Sequence, residues 1–187
     1  MPIGQAKFGL LGGVVDPGKL ELIETKTVSA STAADFTSLG SYNVHFLTVS
    51  DVDVTTDNDR LQLRFSNDGG STFENSNYKY ANQTIEADGS HNESKSTTAT
   101  SLITTCLTGN ATREKANGYI YLYNLSNSSK YSFQNWQSVS LNNEPITQTR
   151  FGGGVYAVAE TINAVKLFSN AGTNFSSTIS LYGIAES

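Results

Sequence analysis

The chain has very little of several residue types, and each shortage excludes something. It has one cysteine, Cys106, so no intrachain disulfide can form. It has two histidines, His45 and His91, too few for a metal cluster built on imidazole and a narrow base for acid–base catalysis. Cys106 follows Ser101–Thr105 and is read as a small buried hydrophobe, since a nucleophile would need one of those two histidines beside it. Lysine and arginine are fewer than aspartate and glutamate, giving a net charge of −5. That balance argues against a nucleic-acid partner, which calls for a basic face. No run of 18 apolar residues is present, so no membrane span is expected. Residues Met1–Lys7 are too polar for a signal-peptide core, so synthesis in a cytoplasm without export by that route is expected. The Asn-x-Ser/Thr triplets at Asn82, Asn92, Asn110, Asn124, Asn127 and Asn174 are then a by-product of composition, not glycan sites. No cofactor is expected.

What is present is a grammar of short alternating strands and polar turns. The clearest example is Arg60–Phe73. Leu61, Leu63 and Phe65 point one way, and Gln62, Arg64 and Ser66 the other. Asn67-Asp68-Gly69-Gly70 then supplies residues that tolerate positive φ in a tight reversal. Tyr78–Ile85 reads as the region that partners this strand.

Residues 1–18 hold Gly4, Gly9, Gly12, Gly13, Pro17 and Gly18, the composition of an arm. Phe8, Leu10, Leu11, Val14 and Val15 give that arm apolar side chains to bury, either on a neighbouring subunit or larger assembly, or back on its own domain. Residues 19–187 form the domain. Leu20–Ser29 is the first long strand and Ala33–Leu39 a short one. In Tyr42–Val49 both faces are partly apolar, which predicts a central strand covered on both sides, with His45 as a satisfied buried imidazole. Asp51–Asp59 reads as an acidic loop. It fails the EF-hand pattern, since Thr56 and Gln62 stand where a glycine and a glutamate belong; a looser calcium site and a solvated turn both remain open.

Glu86–Thr100 is polar and of low complexity, and is expected to be a long exposed loop. Ser101–Leu107 reads as a strand, and Ala111–Ala116 as at most a helical turn or two. In Gly118–Asn124, Ile120 and Leu122 form a core face while Tyr119, Tyr121 and Tyr123 line the other. That tyrosine ladder suits the far side of a sandwich, a subunit interface or a stacking platform for sugar rings. Tyr131–Trp136 begins another strand. Gly152-Gly153-Gly154 inside an apparent strand indicates a bulge, a sharp bend or a close backbone approach. Ala164–Phe168 and Ser177–Ile184 end the series. Roughly nine to eleven strands with almost no helix predict an all-β fold, two antiparallel sheets packed as a sandwich, with a jelly-roll topology.

No Ser/His/Asp set, Cys/His metal spacing or phosphate loop can be picked out. Glu74, Glu86 and Glu144 sit in turn-like contexts, and no spacing singles out a glycosidase pair. Ser66-x-Asp68-x-Gly70-x-Thr72-Phe73 resembles the Asp-box of sialidase-type propellers. The box occurs once here rather than blade after blade, so only the turn carries over: Asp68 and Thr72 as braces of a hairpin and Phe73 as its anchor.

Three segments resemble small virion structural proteins of tailed bacteriophages, especially marine ones. They are Leu20–Thr27, Asp57–Phe73 and the ending Phe175–Ile184, in which Ser177 replaces a usual glycine. The resemblance covers residues 20–187 in outline and supplies no catalytic residues. It implies a non-enzymatic β-rich component of a virion that assembles with itself, expectedly as a trimer, and with major capsid or other virion proteins. Two roles follow. A capsid decoration protein would cement the outside of the shell through the apolar arm and underside. A tail-fibre or receptor-binding tip would present the 86–100 loop and aromatics such as Tyr121 to host glycans. The short chain without a shaft repeat favours decoration. A carbohydrate-active enzyme or free lectin is the alternative outside that class.

Overall fold

A computed structural model describes residues 18–186. The apolar arm residues Phe8, Leu10, Leu11, Val14 and Val15 lie outside that range. Twelve strands make up the described chain: β1 (Leu20–Ser31), β2 (Ala33–Phe36), β3 (Val44–Val54), β4 (Leu61–Ser66), β5 (Tyr78–Glu86), β6 (His91–Ala99), β7 (Leu102–Ile103), β8 (Ala116–Tyr123), β9 (Tyr131–Leu141), β10 (Thr147–Ala159), β11 (Ala164–Ser169) and β12 (Phe175–Ile184). They form two antiparallel sheets packed as a sandwich, as the alternation predicts. The larger sheet runs β1-β12-β3-β8-β9-β10-β5-β6 and the smaller β2-β11-β4-β7.

The core lies between them. Leu47, Ile120, Leu122, Ile179 and Leu181 of the larger sheet join Leu61, Leu63, Phe65, Val165 and Leu167 of the smaller in one buried cluster. Each such side chain stabilises the fold by about 1.5–3 kcal/mol through apolar burial. The smaller sheet is half as wide as the larger. The segment Leu102–Leu107 extends its cover over β9 and β10. Gln134 Nε2 donates to Ile103 O at 2.6 Å, and Ser140 Oγ and Gln148 Nε2 donate to Leu107 O at 2.6 and 2.8 Å. The Cys106 N–H donates to Ser138 Oγ at 3.2 Å. Polar side chains thus point inward because they hold an irregular segment whose carbonyls have no ladder partner.

Several expectations are corrected. β4 does not pair with Tyr78–Ile85; it pairs with β11 and β7, and β5 lies in the other sheet between β10 and β6. The Asp68 turn is therefore a bend on the way between sheets, not a hairpin. Residues 86–100 are not a long loop. His91–Ala99 is an edge strand joined to β5 through a turn at Asp88-Gly89, with Gly89 at φ 93° and the Ser90 N–H donating to Asp88 Oδ1. It reads as a loop because an uncovered edge needs no apolar residues. Only Leu102–Ile103 of the Ser101–Leu107 segment pairs as strand. The acidic loop begins later than expected, since β3 continues to Val54, with Val52 and Val54 buried. The glycines of β10 make no bulge, for Gln148–Tyr156 stays in register with both neighbours. They mark close approach instead: a Cβ on Gly154 would meet Leu102 Cδ2 at 2.5 Å. β3 is central, between β12 and β8, but within the described residues no second layer covers its Val44/Phe46 face.

Candidate functional site

The outer face of the larger sheet gathers what the sequence scatters. Tyr119, Tyr121 and Tyr123 stand on β8 with the parity that faces away from the core. Phe46 of β3 lies beside them, with ring centres 4.8 Å from Tyr121 and 6.1 Å from Tyr119, and Tyr182 of β12 follows at 6.2 Å from Phe46. Tyr121 and Tyr123 stack at 6.3 Å. These contacts cover the tyrosines partly, so the ladder is one stripe of a broader aromatic surface. Leu20, Leu22, Ile85, Tyr131, Phe133, Val139 and Phe151 lie on the same face, and all of them are exposed, Leu22 to 60%.

β9 shows why. Tyr131, Phe133 and Val139 face outward, while Ser132, Gln134, Ser138 and Ser140 face inward with Trp136. β10 follows suit, with Phe151 outside and Gln148 and Arg150 inside. The usual apolar-in, polar-out alternation is inverted on these two strands.

The face is not flat. Asn135, Gly153 and Ala81 are register partners on β9, β10 and β5, and their short side chains leave a trough. Phe133, Val155 and Lys79 form the row on one side; Gln137, Phe151 and Gln83 form the row on the other. Lys95, opposite Ala81, closes the β6 end. On the Phe133 and Lys79 side the trough measures about 890 Å³, and a smaller extension beside Phe151 and Glu93 adds about 310 Å³. The rows of Phe133 and Phe151 lie four residues apart along the strands, about 13 Å between backbones.

Side-chain hydrogen bonds brace the Asp68 turn. Thr72 donates through Oγ1 to Asp68 Oδ2 at 2.6 Å and through its amide to Oδ1 at 2.9 Å, and Ser66 Oγ donates to Oδ1 at 2.7 Å. Thr72 and Ser66 hold the carboxyl down to about 2. Phe73 is half-buried under the Lys166 ammonium, 4.1 Å from the ring centre. These contacts are local to the turn, away from the aromatic face.

Elsewhere the polar interior is structural. His45 is buried, with Nε2 2.8 Å from Leu39 O and the Tyr42 ring edge-on at 5.8 Å. Its Nδ1 has no partner among the described residues, so the imidazole is half satisfied rather than fully so. Burial lowers its pKa. Asp59 is buried and accepts from Ser169 Oγ at 2.5 Å and the Ala171 N–H at 3.1 Å, which assigns it to the fold. Among the described residues, no three of His, Cys, Asp and Glu come together to hold a metal. Cys106 is buried, as expected, and burial raises its thiol pKa. Arg150 is 4% exposed and donates from Nε to Asn82 Oδ1 at 2.8 Å. Burial and the neighbouring Arg60 bring its pKa down to about 10.

No family model matches the chain, and a search of curated proteins finds no match.

Proposed function

We propose that the protein is a non-enzymatic structural component of a tailed-phage virion, and that it acts as a capsid decoration protein on the outside of the shell. The observation that carries the reading is the inverted pattern of β9 and β10, which puts Tyr131, Phe133, Val139 and Phe151 in water on a face already lined by Phe46 and three tyrosines. Exposed apolar surface of this extent marks an interaction site, and aromatic residues are the ones enriched at interface cores. The edge strand β1 adds Leu20 and Leu22 to that face, immediately after the apolar arm of residues 1–18. Self-association, as a trimer, is part of the proposal.

The order of the strands supports the jelly-roll reading. β1, β3, β8 and β12 belong to the larger sheet and β2, β4, β7 and β11 to the smaller, so once two added hairpins are set aside the chain crosses between sheets at every step except β4 to β7. Those hairpins, β5-β6 and β9-β10, widen the larger sheet and build its exposed half. Double-sheet jelly rolls serve viral capsid and lectin domains alike. The reading as a host-glycan-binding tip draws on the trough.

Cryo-microscopy of particles, with labelled antibody to this chain, tests the proposal. Density over the capsid capsomers is the expected result; density confined to the tail would sink decoration, and absence from the particle would sink the virion role. Phe46→Ser with Tyr121→Ser should abolish self-association in sedimentation while leaving the circular dichroism spectrum unchanged.

A further inference from the structure

We propose that the trough over β9, β10, β5 and β6 is a binding site for a carboxylate-bearing sugar chain. The inference goes beyond the particle role and does not depend on it.

Its floor is the first argument. Gly152 and Gly154 are glycine because the inner side leaves no room: their added Cβ atoms would run into Asn82 and Leu102. Gly153 faces the other way. A Cβ there would meet one atom, Gln134 O at 3.0 Å, and otherwise project into the trough. Glycine at 153 relieves that one close approach to a backbone oxygen, and a ligand lying on the floor gives a second reason for it.

The walls are the second. Phe133 and Phe151 stand on opposite sides, 44% and 40% exposed. Aromatic rings flanking a shallow slot present flat apolar faces that the C–H faces of pyranose rings cover well. The side-chain amides of Asn135, on the floor, and Gln83, in the Phe151 row, make no hydrogen bond to protein among the described residues. They are free donors and acceptors for hydroxyl groups.

Charge settles the class of sugar. Lys79 lies on the Phe133 side of the trough and has no ion pair among the described residues; Lys95 has only an exposed one, 3.8 Å from Glu93. Glu93 lines the smaller extension, so the lining carries two ammonium groups, those of Lys79 and Lys95, against one carboxylate, in a chain of net charge −5. They are local recognition groups and not part of a general basic surface, and they complement a carboxylate. An apolar peptide would leave both lysines and both amides without partners, which costs affinity.

The test uses the full chain and a defined panel read by calorimetry and ligand-observed NMR: tri-galacturonate and sialyllactose, their neutral counterparts maltotriose and lactose, and hexaglutamate. At least one acidic sugar should bind saturably with a Kd of about 1 mM or tighter, and about tenfold more tightly than its neutral counterpart. Phe133→Ala should weaken that binding about tenfold, the loss of one aromatic stacking contact. Gly153→Val should weaken it at least as much by filling the floor. The pair Lys79→Gln and Lys95→Gln should remove the preference for the acid while leaving neutral-sugar binding unchanged. Phe133 is exposed, so its alanine variant keeps the fold even if Gly153→Val does not, and circular dichroism checks both. No saturable sugar binding, binding indifferent to Phe133→Ala, or hexaglutamate binding as tightly as the best sugar would each overturn the inference.

Discussion

Gly152 and Gly153 are neighbours on one strand, paired in register on both sides, and alanine should affect them in opposite ways. At 152 the new methyl faces inward. It collides with the Asn82 Cβ and comes within 2.5 Å of Ala81 O, a backbone atom that cannot turn aside. Relief requires β5 to move from β10, and Asn82 also holds the Arg150 guanidinium. Overpacking of this kind costs about 2 kcal/mol. For a chain of this length each kcal/mol lowers Tm by about 2–4 °C, so Gly152→Ala should melt about 4–8 °C below the parent. At 153 the methyl faces the trough. Replacing glycine in a strand with alanine recovers about 0.4–1 kcal/mol from the unfolded chain. The single 3.0 Å approach to Gln134 O takes back part of that gain. Gly153→Ala should therefore fall within about 0.5 kcal/mol of the parent, a Tm change of at most about 2 °C. Thermal melts by circular dichroism, with urea unfolding as a second measure, separate the two. Equal losses, or a larger loss at 153, would refute the assignment of inner and outer faces on β10, and with it the trough.

Other consequences follow from the same geometry. The Asp68 carboxyl, held down to about 2 by Thr72 and Ser66, contributes stability that is present above its unfolded value near 4 and is lost as pH falls towards 2. Urea midpoints measured from pH 7 to 2 should fall in that range, and Asp68→Asn should flatten the fall. An NMR titration of His45 gives a second check. Because burial lowers His45, its midpoint should lie below the ordinary 6.5, with His91→Gln fixing the assignment; a midpoint at or above 6.5 would contradict its buried setting. Leu63→Ala removes a fully buried side chain from the centre of the smaller sheet and should cost about 2–5 kcal/mol in urea unfolding. Cys106, buried and raised in pKa, should react with a thiol reagent only at the rate of unfolding, and fast labelling of the native protein would show that the Leu102–Leu107 segment is not packed as described.

The strands that bury an apolar face were legible in the sequence. Leu61, Leu63 and Phe65 announce β4, and Ile120 and Leu122 announce the inner side of β8, because period-2 alternation reports one covered and one wet face. Pairing was not legible. Nothing in Tyr78–Ile85 says that β5 belongs to the other sheet, since pairing depends on where the connecting segment crosses, and the Asp68 turn serves a crossing as well as a hairpin. β6 was missed for a physical reason: an edge strand makes its ladder from backbone and leaves Ser, Thr, Asn and Lys in water, the composition of a loop. The Asp88-Gly89 pair next to it was the available signal.

The candidate face was the hardest part to read, because there the rule that finds strands points the wrong way. Alternation in Tyr131–Leu141 would direct Tyr131, Phe133 and Val139 to the core and the serines to solvent; the fold does the reverse. Side-chain hydrogen bonds to the Leu102–Leu107 carbonyls repay the burial of Gln134, Ser140 and Gln148. The aromatic residues outside gain no such compensation among the described residues. The polar side of the inversion is satisfied except at Ser132 Oγ and Gln134 Oε1, which have no partner among the described residues, and its apolar side is uncovered, so it is stable only as far as the rest of the core carries it. Partner or ligand burial is what would recover the free energy left exposed at Phe133 and Phe151, about 0.6–1.3 kcal/mol for the two-fifths of each side chain still exposed. Substitution of those two residues by serine should thus leave the isolated chain as stable as before while weakening whatever it binds, the opposite of the outcome for Leu63.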